Sequence, residues 1–160
     1  MTQKLLFVCL GNICRSPTAE NIMNHLIKEA HLQTKIICDS AGTSNYHIGE
    51  PPDHRMALAA KQREIHLHGQ ARQLQASDLA DFDWILAMDQ ENYRDILSLD
   101  SAKQYEHKVR LICEFCTQHP DTEVPDPYFG GLEGFQYVID LLLDACAGLL
   151  GYLTQVKAVS

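Results

Sequence analysis

The chain has 160 residues, 46% of them hydrophobic, and a formal net charge of −8. This length and apolar content suffice for one domain with a full hydrophobic core, so we expect 1–160 to form a single domain. The acidic charge argues against nucleic acid as a partner, because proteins bind DNA and RNA mainly through basic surfaces.

The first predicted element is a buried strand, the apolar run Leu5-Leu6-Phe7-Val8. The eight residues that follow it read Cys9-Leu10-Gly11-Asn12-Ile13-Cys14-Arg15-Ser16. A helix is then predicted to begin with Ser16 as its N-cap and Pro17 at its first position. A strand, a loop and a helix N-terminus make a cradle for an anion, because the first N–H groups of a helix have no intrahelical acceptor.

This loop combines the groups that phosphoryl transfer to a cysteine requires. A helix N-terminus and a nearby cation both favour the thiolate form of Cys9, which is the nucleophilic form. Gly11 permits the positive φ that a tight nest of N–H groups needs, and Asn12 tolerates it better than most residues. Arg15 offers a planar fork of donors that matches two phosphate oxygens. Ser16 can place a hydroxyl near the sulfur and steady the departing thiolate.

The rest of the chain alternates predicted helices with predicted strands. Apolar residues at helical spacing continue the first helix from Ala19 to Ala30. Further strands are predicted at Lys35–Ser40, Trp84–Met88 and Lys108–Ile112. Further helices are predicted at Pro52–Arg63, Gln90–Leu97 and Leu132–Leu153. This alternation predicts an α/β fold, a small four-stranded parallel sheet flanked by helices in a flavodoxin-like or Rossmann-like three-layer sandwich.

No targeting or membrane segment is predicted. The first apolar run, which ends at Leu10, is too short for a signal peptide. The longest apolar region, Val138–Leu153, is interrupted by Asp140 and Asp144, so we expect no membrane span. We therefore expect a cytoplasmic protein whose six cysteines are reduced.

The segment from Phe7 to Glu20 resembles the signature loop of the low-molecular-weight protein tyrosine phosphatases. Three further stretches are similar to that family in order and spacing: Asp39-Ser40-Ala41-Gly42-Thr43, Ala71-Arg72-Gln73 and Pro125-Asp126-Pro127-Tyr128-Phe129-Gly130. The resemblance covers essentially the whole chain. It implies a bacterial-type, metal-independent hydrolase that cleaves phosphotyrosine through a phosphocysteine intermediate and needs no cofactor.

The resemblance also implies three catalytic roles. Cys9 is the nucleophile, and Arg15 binds the phosphate. Asp126 is the general acid for the departing phenolate and then the general base that activates water. The prolines on either side of Asp126 hold its carboxyl in a stiff loop, although the same Pro-Asp-Pro sequence also suits an ordinary surface turn.

Other positions are expected to bind the substrate or to support the loop. The phosphate-binding set comprises Leu10, Gly11, Asn12, Ile13, Cys14 and Ser16. An aromatic slot for the phenyl ring is expected from Tyr46, Tyr128 and Phe129, with Tyr46 equally compatible with an ordinary half-exposed residue. By resemblance, Ser40 holds Asn12 in place, and His68 lies near the pocket without a defined role.

Two loop residues bear on specificity and regulation. The family also contains arginine phosphatases, whose loop resembles this one except for a threonine at the position of Ile13. Isoleucine packs against an apolar ring and offers no hydroxyl to a guanidinium, so phosphotyrosine is favoured. By resemblance, Cys14 can trap an oxidised Cys9 as a reversible disulfide, and simple packing beneath the loop explains Cys14 equally well.

Three other interpretations of the sequence have less support: a zinc site, an arsenate reductase and a module that only binds phosphotyrosine. Cys113-x2-Cys116 with His119 is part of a zinc-site pattern, but a structural zinc site needs four ligands and no second pair has suitable spacing. Arsenate reduction on this scaffold needs additional mid-chain cysteines, and residues 75–88 contain none. A module that only binds phosphotyrosine would lack one of the three catalytic side chains.

The resemblance also implies the partners. These are phosphotyrosine-containing proteins, of which a bacterial tyrosine kinase is one candidate. Inorganic phosphate is expected as product and inhibitor. No nucleic-acid or membrane partner is expected, and a monomer is the expected state.

Overall fold

The structure is a computed structural model that describes residues 2–128 and 130–159, with side chains described within 2–128 and 130–155. The strands are β1 (Gln3–Cys9), β2 (Ile36–Gly42), β3 (Trp84–Ala87) and β4 (Val109–Leu111). The α-helices in the described part are α1 (Arg15–Glu29), α2 (His54–Lys61), α3 (Ala76–Asp81), α4 (Gln90–Leu97) and α5 (Leu132–Val159). Short 3-10 helices flank β4 at Glu106–Lys108 and Ile112–Phe115.

The strands form one parallel sheet in the order β2-β1-β3-β4. Val8 of β1 lies opposite Ala41 of β2 and Ala87 of β3. Because the chain moves to one side of β1 for β2 and to the other side for β3, the sheet has a switch point at β1. Open α/β sheets form their binding crevice at the carboxyl ends of the strands at such a point.

Alternate residues of β1 belong to two different cores. Leu5 and Phe7 pack in the cluster that contains residues of α1 and α5, whereas Leu6 and Val8 pack in the cluster that contains residues of α3 and α4. All four side chains are fully buried, and burial of each contributes about 1.5–3 kcal/mol. The sheet therefore lies between two helical layers, which confirms the predicted three-layer α/β fold.

Most predicted elements are correct in kind, and, apart from the C-terminal end of α5, their ends differ by no more than two residues. Helix α2 begins at His54 rather than Pro52 because Asp53 is its N-cap, with the side chain accepting the backbone N–H groups of Arg55 and Met56. A cap side chain that satisfies these free donors fixes where a helix begins.

The predicted start of α1 is wrong. The helix begins at Arg15 with Cys14 as N-cap, and neither Ser16 nor Pro17 has the predicted position. The Ser16 hydroxyl contacts the Cys9 sulfur and accepts from Asn12, so it is used across the loop and not as a cap. Pro17 is tolerated in the first turn because N–H groups there have no intrahelical acceptor.

Helix α3 was not predicted. It has six residues and is held by a capping box between Gln75 and Asp78. Asp78 also accepts two hydrogen bonds from the guanidinium of Arg72, at 3.0 and 3.2 Å. The side-chain network compensates for the short length, and a short helix has too few residues to display a periodic apolar pattern.

Helix α5 continues beyond the predicted Leu153. Its segment Leu132–Gln155 has a mean hydropathy of 1.5 and is long and apolar enough to cross a membrane by length and composition. The same segment supplies fully buried residues such as Phe135 and Leu142 to the core. It packs against α1, α2 and the 3-10 helix at Ile112–Phe115, so core packing accounts for its apolar composition.

Candidate active site

The loop between β1 and α1 lies at the switch point of the sheet and curls around the sulfur of Cys9. The backbone N–H groups of Asn12 and Ser16 point at Sγ, with N to S distances of 3.3 and 3.4 Å. The hydroxyl oxygen of Ser16 lies 3.0 Å from the same sulfur. These groups, together with the N-terminus of α1, stabilise negative charge on a sulfur that is almost fully buried, since Cys9 is 3% exposed.

A hydrogen-bond network holds Asn12 in the loop. Its Nδ2 donates to Oγ of Ser16 at 2.7 Å and to Oγ of Ser40 at 3.0 Å, and its Oδ1 accepts the Arg72 N–H at 2.9 Å. Asn12 has φ 58°, and these bonds secure that left-handed conformation. Ser40 therefore contacts Asn12 as expected, and its own hydroxyl donates to Glu20 Oε1 at 2.6 Å. Burial raises the pKa of the Glu20 carboxyl, an effect that the Ser40 bond only partly offsets.

Gly11 does not have the positive φ that the sequence suggested, because in this loop Asn12 adopts it. A Cβ on Gly11 would lie 3.1 Å from Cδ2 of His47. The glycine thus leaves space for the His47 ring beside the loop. His47 was not among the predicted site residues.

The guanidinium of Arg15 is anchored deep in the site. Nη1 donates to Oδ2 of Asp89 at 2.6 Å and to the carbonyl oxygen of Val124 at 3.0 Å, and Arg15 is 2% exposed. Burial opposes the charge, but the Cys9 sulfur and the Asp89 carboxylate outweigh it and raise the pKa of Arg15 above its usual value. Arg15 is therefore a permanent cation next to the sulfur.

Asp89 was missed in the sequence. It stands two residues after the end of β3, and polar residues at the carboxyl end of a parallel strand are typical of a site. The sequence did hold a signal for Asp89, because the predicted strand ended at Met88 and Asp89 is the next residue along the chain.

Asp126 approaches the site from the long loop before α5. Its Oδ1 accepts the Tyr128 N–H at 3.0 Å, and its Oδ2 lies 3.6 Å from Nη2 of Arg15. The side chain is 35% exposed, so it can exchange protons with water. Asp126 and Cys9 line the same cavity.

The cavity has a volume of about 140 Å³ and contains most of the predicted site residues. Besides Cys9, Arg15 and Asp126, its lining comprises Leu10, Gly11, Ile13, Cys14, Tyr46, His47 and Tyr128. The Arg55 guanidinium lies 5.1 Å from the centre of the Tyr128 ring and holds that ring at the wall. Phe129 lies outside the described residues.

Four of the predicted site residues do not line this cavity: Asn12, Ser16, Ser40 and His68. Asn12 and Ser16 act instead through their contacts with the Cys9 sulfur. His68, which was expected near the pocket, lines a separate cavity of about 60 Å³ that also includes Asn12 of the loop, Glu20 and Ser40. Contacts between Asn21 and the His68 backbone place this residue against α1.

The described cysteines are all free thiols. Cys14 is 4% exposed, and burial and the nearby Asp53 raise its pKa, so it is a neutral thiol beside Cys9. Burial raises the pKa of Cys113 to about 12 and that of Cys116 to about 11. Within 2–128 and 130–159, no three His, Cys, Asp or Glu side chains are grouped to hold a metal ion.

Residues 4–159 match the model of the low molecular weight phosphotyrosine protein phosphatases. The chain belongs to this family. Members of the low molecular weight phosphatase family are hydrolases, so the family model and the similar sequences make this chain an enzyme of that class.

Similar proteins align with this chain over nearly its full length. A Synechocystis relative is 60% identical over 147 residues, which are 92% of this chain and 94% of the relative. The low molecular weight protein-tyrosine-phosphatase YfkJ of Bacillus subtilis is 40% identical and covers 96% of this chain and 97% of its own length. A crystal structure of the protein tyrosine phosphatase from Entamoeba histolytica, with Hepes in the active site, superposes with a TM-score of 0.94 at 48% identity, covering 98% of this chain and 99% of that one.

Proposed function

We propose that this chain hydrolyses phosphotyrosine in proteins through a phosphocysteine intermediate. Cys9 is the nucleophile, Arg15 binds the phosphate, and Asp126 is the general acid and base. The observation that carries the proposal is the cavity in which all three side chains meet, with the Cys9 sulfur beneath the N–H groups of Asn12 and Ser16.

In the first step, the Cys9 thiolate attacks phosphorus, an S–P bond forms, and the bond from phosphorus to the phenolic oxygen breaks. Asp126 supplies the proton that the departing phenolate needs. Nη1 of Arg15 is occupied by Asp89 and Val124. Nε and Nη2 are thus the donors that meet two phosphate oxygens, and Nη2 also keeps the Asp126 carboxyl close.

In the second step, the Asp126 carboxylate takes a proton from water, and the water oxygen attacks phosphorus. The S–P bond breaks, inorganic phosphate leaves, and Cys9 returns as a thiolate. The Ser16 hydroxyl, 3.0 Å from the sulfur, stabilises the thiolate as it departs. Phosphate fits the same cradle as the substrate and is therefore a competitive inhibitor.

The walls of the cavity favour an aromatic substrate. Ile13 is 8% exposed and offers only an aliphatic surface to the cavity. Tyr46 and Tyr128 stand at the rim, where their rings can pack against a phenyl group. A phosphotyrosine peptide is thus expected to be cleaved faster than a phosphoarginine peptide, and the reverse order would overturn this assignment.

The setting of the enzyme follows from its chemistry. A thiolate nucleophile requires a reducing compartment, so we propose that the chain acts in the cytoplasm. We also propose that it acts as a monomer. Its substrates are phosphotyrosine proteins, with a bacterial tyrosine kinase as one candidate.

The test is hydrolysis of p-nitrophenyl phosphate at mildly acidic pH, with reductant and chelator present, by the protein and by its Cys9→Ser variant. Activity that persists with chelator and is lost in the variant supports the proposal. Rapid quenching should also trap phosphate on Cys9 itself. Activity retained in Cys9→Ser, or a phosphoryl group on another residue, would overturn the mechanism.

A further inference from the structure

A larger cavity adjoins the active site. Its volume is about 520 Å³, and it shares Leu10 and Tyr46 with the catalytic cavity. One side is formed by the loop after β2, and the other by the exposed face of α4 and the residues just after it. A polypeptide whose phosphotyrosine enters the catalytic cavity can therefore continue past Tyr46 into this second cavity, here called the acidic groove.

The chemistry of the acidic groove is distinct from that of the catalytic cavity. It carries two carboxylates, Glu91 and Asp95, and no Lys, Arg or His among its lining residues. Leu99, which is 39% exposed, adds apolar surface, whereas Leu74 lines the groove but is almost fully buried. The remaining lining side chains that can hydrogen-bond belong to Thr43, Ser44, Asn45, Tyr46, Gln73 and Ser98.

Neither of the two carboxylates has a basic side chain as a partner within the described residues. Glu91 and Asp95 are four residues apart on α4, so they project from the same face of the helix. Like charges at this spacing destabilise a helix by about 0.2–0.5 kcal/mol. Among the described residues, neither side chain forms an ion pair. A cation from outside the chain would relieve this repulsion.

We propose that the acidic groove binds the substrate residues that flank phosphotyrosine and selects Lys or Arg among them. A long basic side chain suits both features of the groove, because its methylene stem can lie on Leu99 while its charged end reaches Glu91 and Asp95. This inference rests on the proposed phosphotyrosine phosphatase function and adds the sequence context of the substrate.

The test compares kcat/KM for phosphotyrosine peptides that carry Lys, Ala or Glu at each position within three residues of the phosphotyrosine. Partly exposed ion pairs are weak, so Lys should exceed Ala by about 2- to 5-fold at one or two positions on one side of the phosphotyrosine. The preference should fall as salt concentration rises. Free phosphotyrosine, which has no flanking residues, is the reference substrate.

The decisive variant is the double substitution Glu91→Gln with Asp95→Asn, which should remove the preference for Lys. Its matched control is Glu29→Gln with Glu64→Gln, which changes net charge equally at exposed positions outside the groove lining. The control should keep the preference, since the groove is intact. Loss of the preference in both the groove variant and the control variant would indicate a long-range charge effect and would overturn the proposed selection by the groove.

Failure of the inference can be told apart from failure of the proposed function. Two results would overturn the inference about the acidic groove and leave the proposed function intact. One is normal hydrolysis of free phosphotyrosine without a preference for Lys in the peptides. The other is a preference for Lys that survives in the groove variant. Absence of hydrolysis for both free phosphotyrosine and the peptides overturns the proposed function and the groove with it.

Discussion

Oδ2 of Asp89 lies 2.6 Å from Nη1 of Arg15, in a site where Arg15 is 2% exposed. The bond joins the carboxyl end of β3 to the first residue of α1, so the sheet itself sets the position of the guanidinium. Nη1 is fixed by this carboxylate and by the Val124 carbonyl. The arginine fork is therefore oriented before any phosphate arrives, which lowers the entropy lost on binding.

We expect Asp89→Asn to weaken phosphate recognition without unfolding the protein. Charge-assisted hydrogen bonds are stronger than neutral ones, so kcat/KM should fall by about 5- to 50-fold. Competitive inhibition by inorganic phosphate should weaken in parallel, since it depends on the same guanidinium. Steady-state kinetics with phosphate as inhibitor measure both. Unchanged phosphate inhibition would contradict the orienting role.

Asp89→Ala serves as the companion variant, because Oδ1 of Asp89 also accepts the Asn92 N–H at 2.8 Å and caps α4. Asparagine is a good N-cap and alanine is a poor one, so Asp89→Ala should lose about 1 kcal/mol more stability than Asp89→Asn. Thermal unfolding of the two variants separates the capping role of Asp89 from its role in orienting Arg15.

Asp126→Ala should slow substrates with poor leaving groups the most. A general acid contributes about 10²–10⁴-fold when the departing group needs a proton, and p-nitrophenolate needs it less than a simple phenolate. We therefore expect a far larger loss of kcat/KM for phenyl phosphate than for p-nitrophenyl phosphate. Equal losses of kcat/KM for both substrates would show that Asp126 is not the general acid.

Cys14 is expected to protect Cys9 from irreversible oxidation. Peroxide converts the Cys9 thiolate to a sulfenic acid, and the Cys14 thiol then attacks that sulfur, forming a disulfide and releasing water. Activity should return after treatment with dithiothreitol, and much less of it should return in Cys14→Ser. Peptide mapping after mild peroxide checks the link. If activity recovers as completely in Cys14→Ser as in the unmodified chain, Cys14 does not protect Cys9 and only packs beneath the loop.

The meeting of Cys9, Arg15 and Asp126 in one cavity could be predicted, because each of these residues lies in a short, recognisable sequence pattern. Cys9 and Arg15 lie on one loop, and Asp126 stands between two prolines, so each is visible without knowledge of the fold. Asp89 and His47 reach the site only through the sheet and the loop after β2, and no local pattern connects them to Cys9. Their roles depend on distances that only the folded chain sets.

The start of α1 illustrates the same limit for secondary structure. Ser16 followed by Pro17 is a good local signal for a helix start, but the Ser16 hydroxyl bonds within the loop around Cys9. Tertiary hydrogen bonds therefore override the capping preference. The fold class was easier to predict, because it depends on alternating apolar runs such as Leu5-Leu6-Phe7-Val8 and not on any single contact.

Asp144 supports the segment that precedes the Asp126 loop, and its effect on stability should depend on pH. Burial would raise the pKa of this carboxyl, but hydrogen bonds from the backbone N–H groups of Thr117 and Gln118 and from the His119 ring hold it well below its usual range. A depressed pKa means that the charged form stabilises the folded state. This stabilisation is complete above the unfolded value of about 3.9 and is lost as the pH falls below it.

Asp144→Asn should therefore lower the free energy of unfolding at pH 7 by about 1.5–3 kcal/mol, the range for hydrogen bonds to a charged group. The difference from the unmodified protein should stay constant down to about pH 5 and shrink below about pH 4. Urea unfolding across this pH range provides the measurement. Asp140→Asn, at an exposed ion pair with Arg63, is the control and should cost less than about 1 kcal/mol. A constant difference at all pH values would rule out the charge as the cause.

Gly148 allows α5 to approach the 3-10 helix after β4 more closely than any side chain would permit. A Cβ at this position would overlap the carbonyl group of Phe115, whereas a Cβ on Gly151, one turn later, would meet nothing within 4 Å. Gly148→Ala should therefore destabilise the protein by about 1–3 kcal/mol or more, because α5 must move away from the core. Gly151→Ala should stabilise it by up to about 1 kcal/mol, since alanine is the better helix former. Thermal unfolding of both variants tests the pair, and stabilisation by both substitutions would show that helix propensity, not the contact with Phe115, governs Gly148.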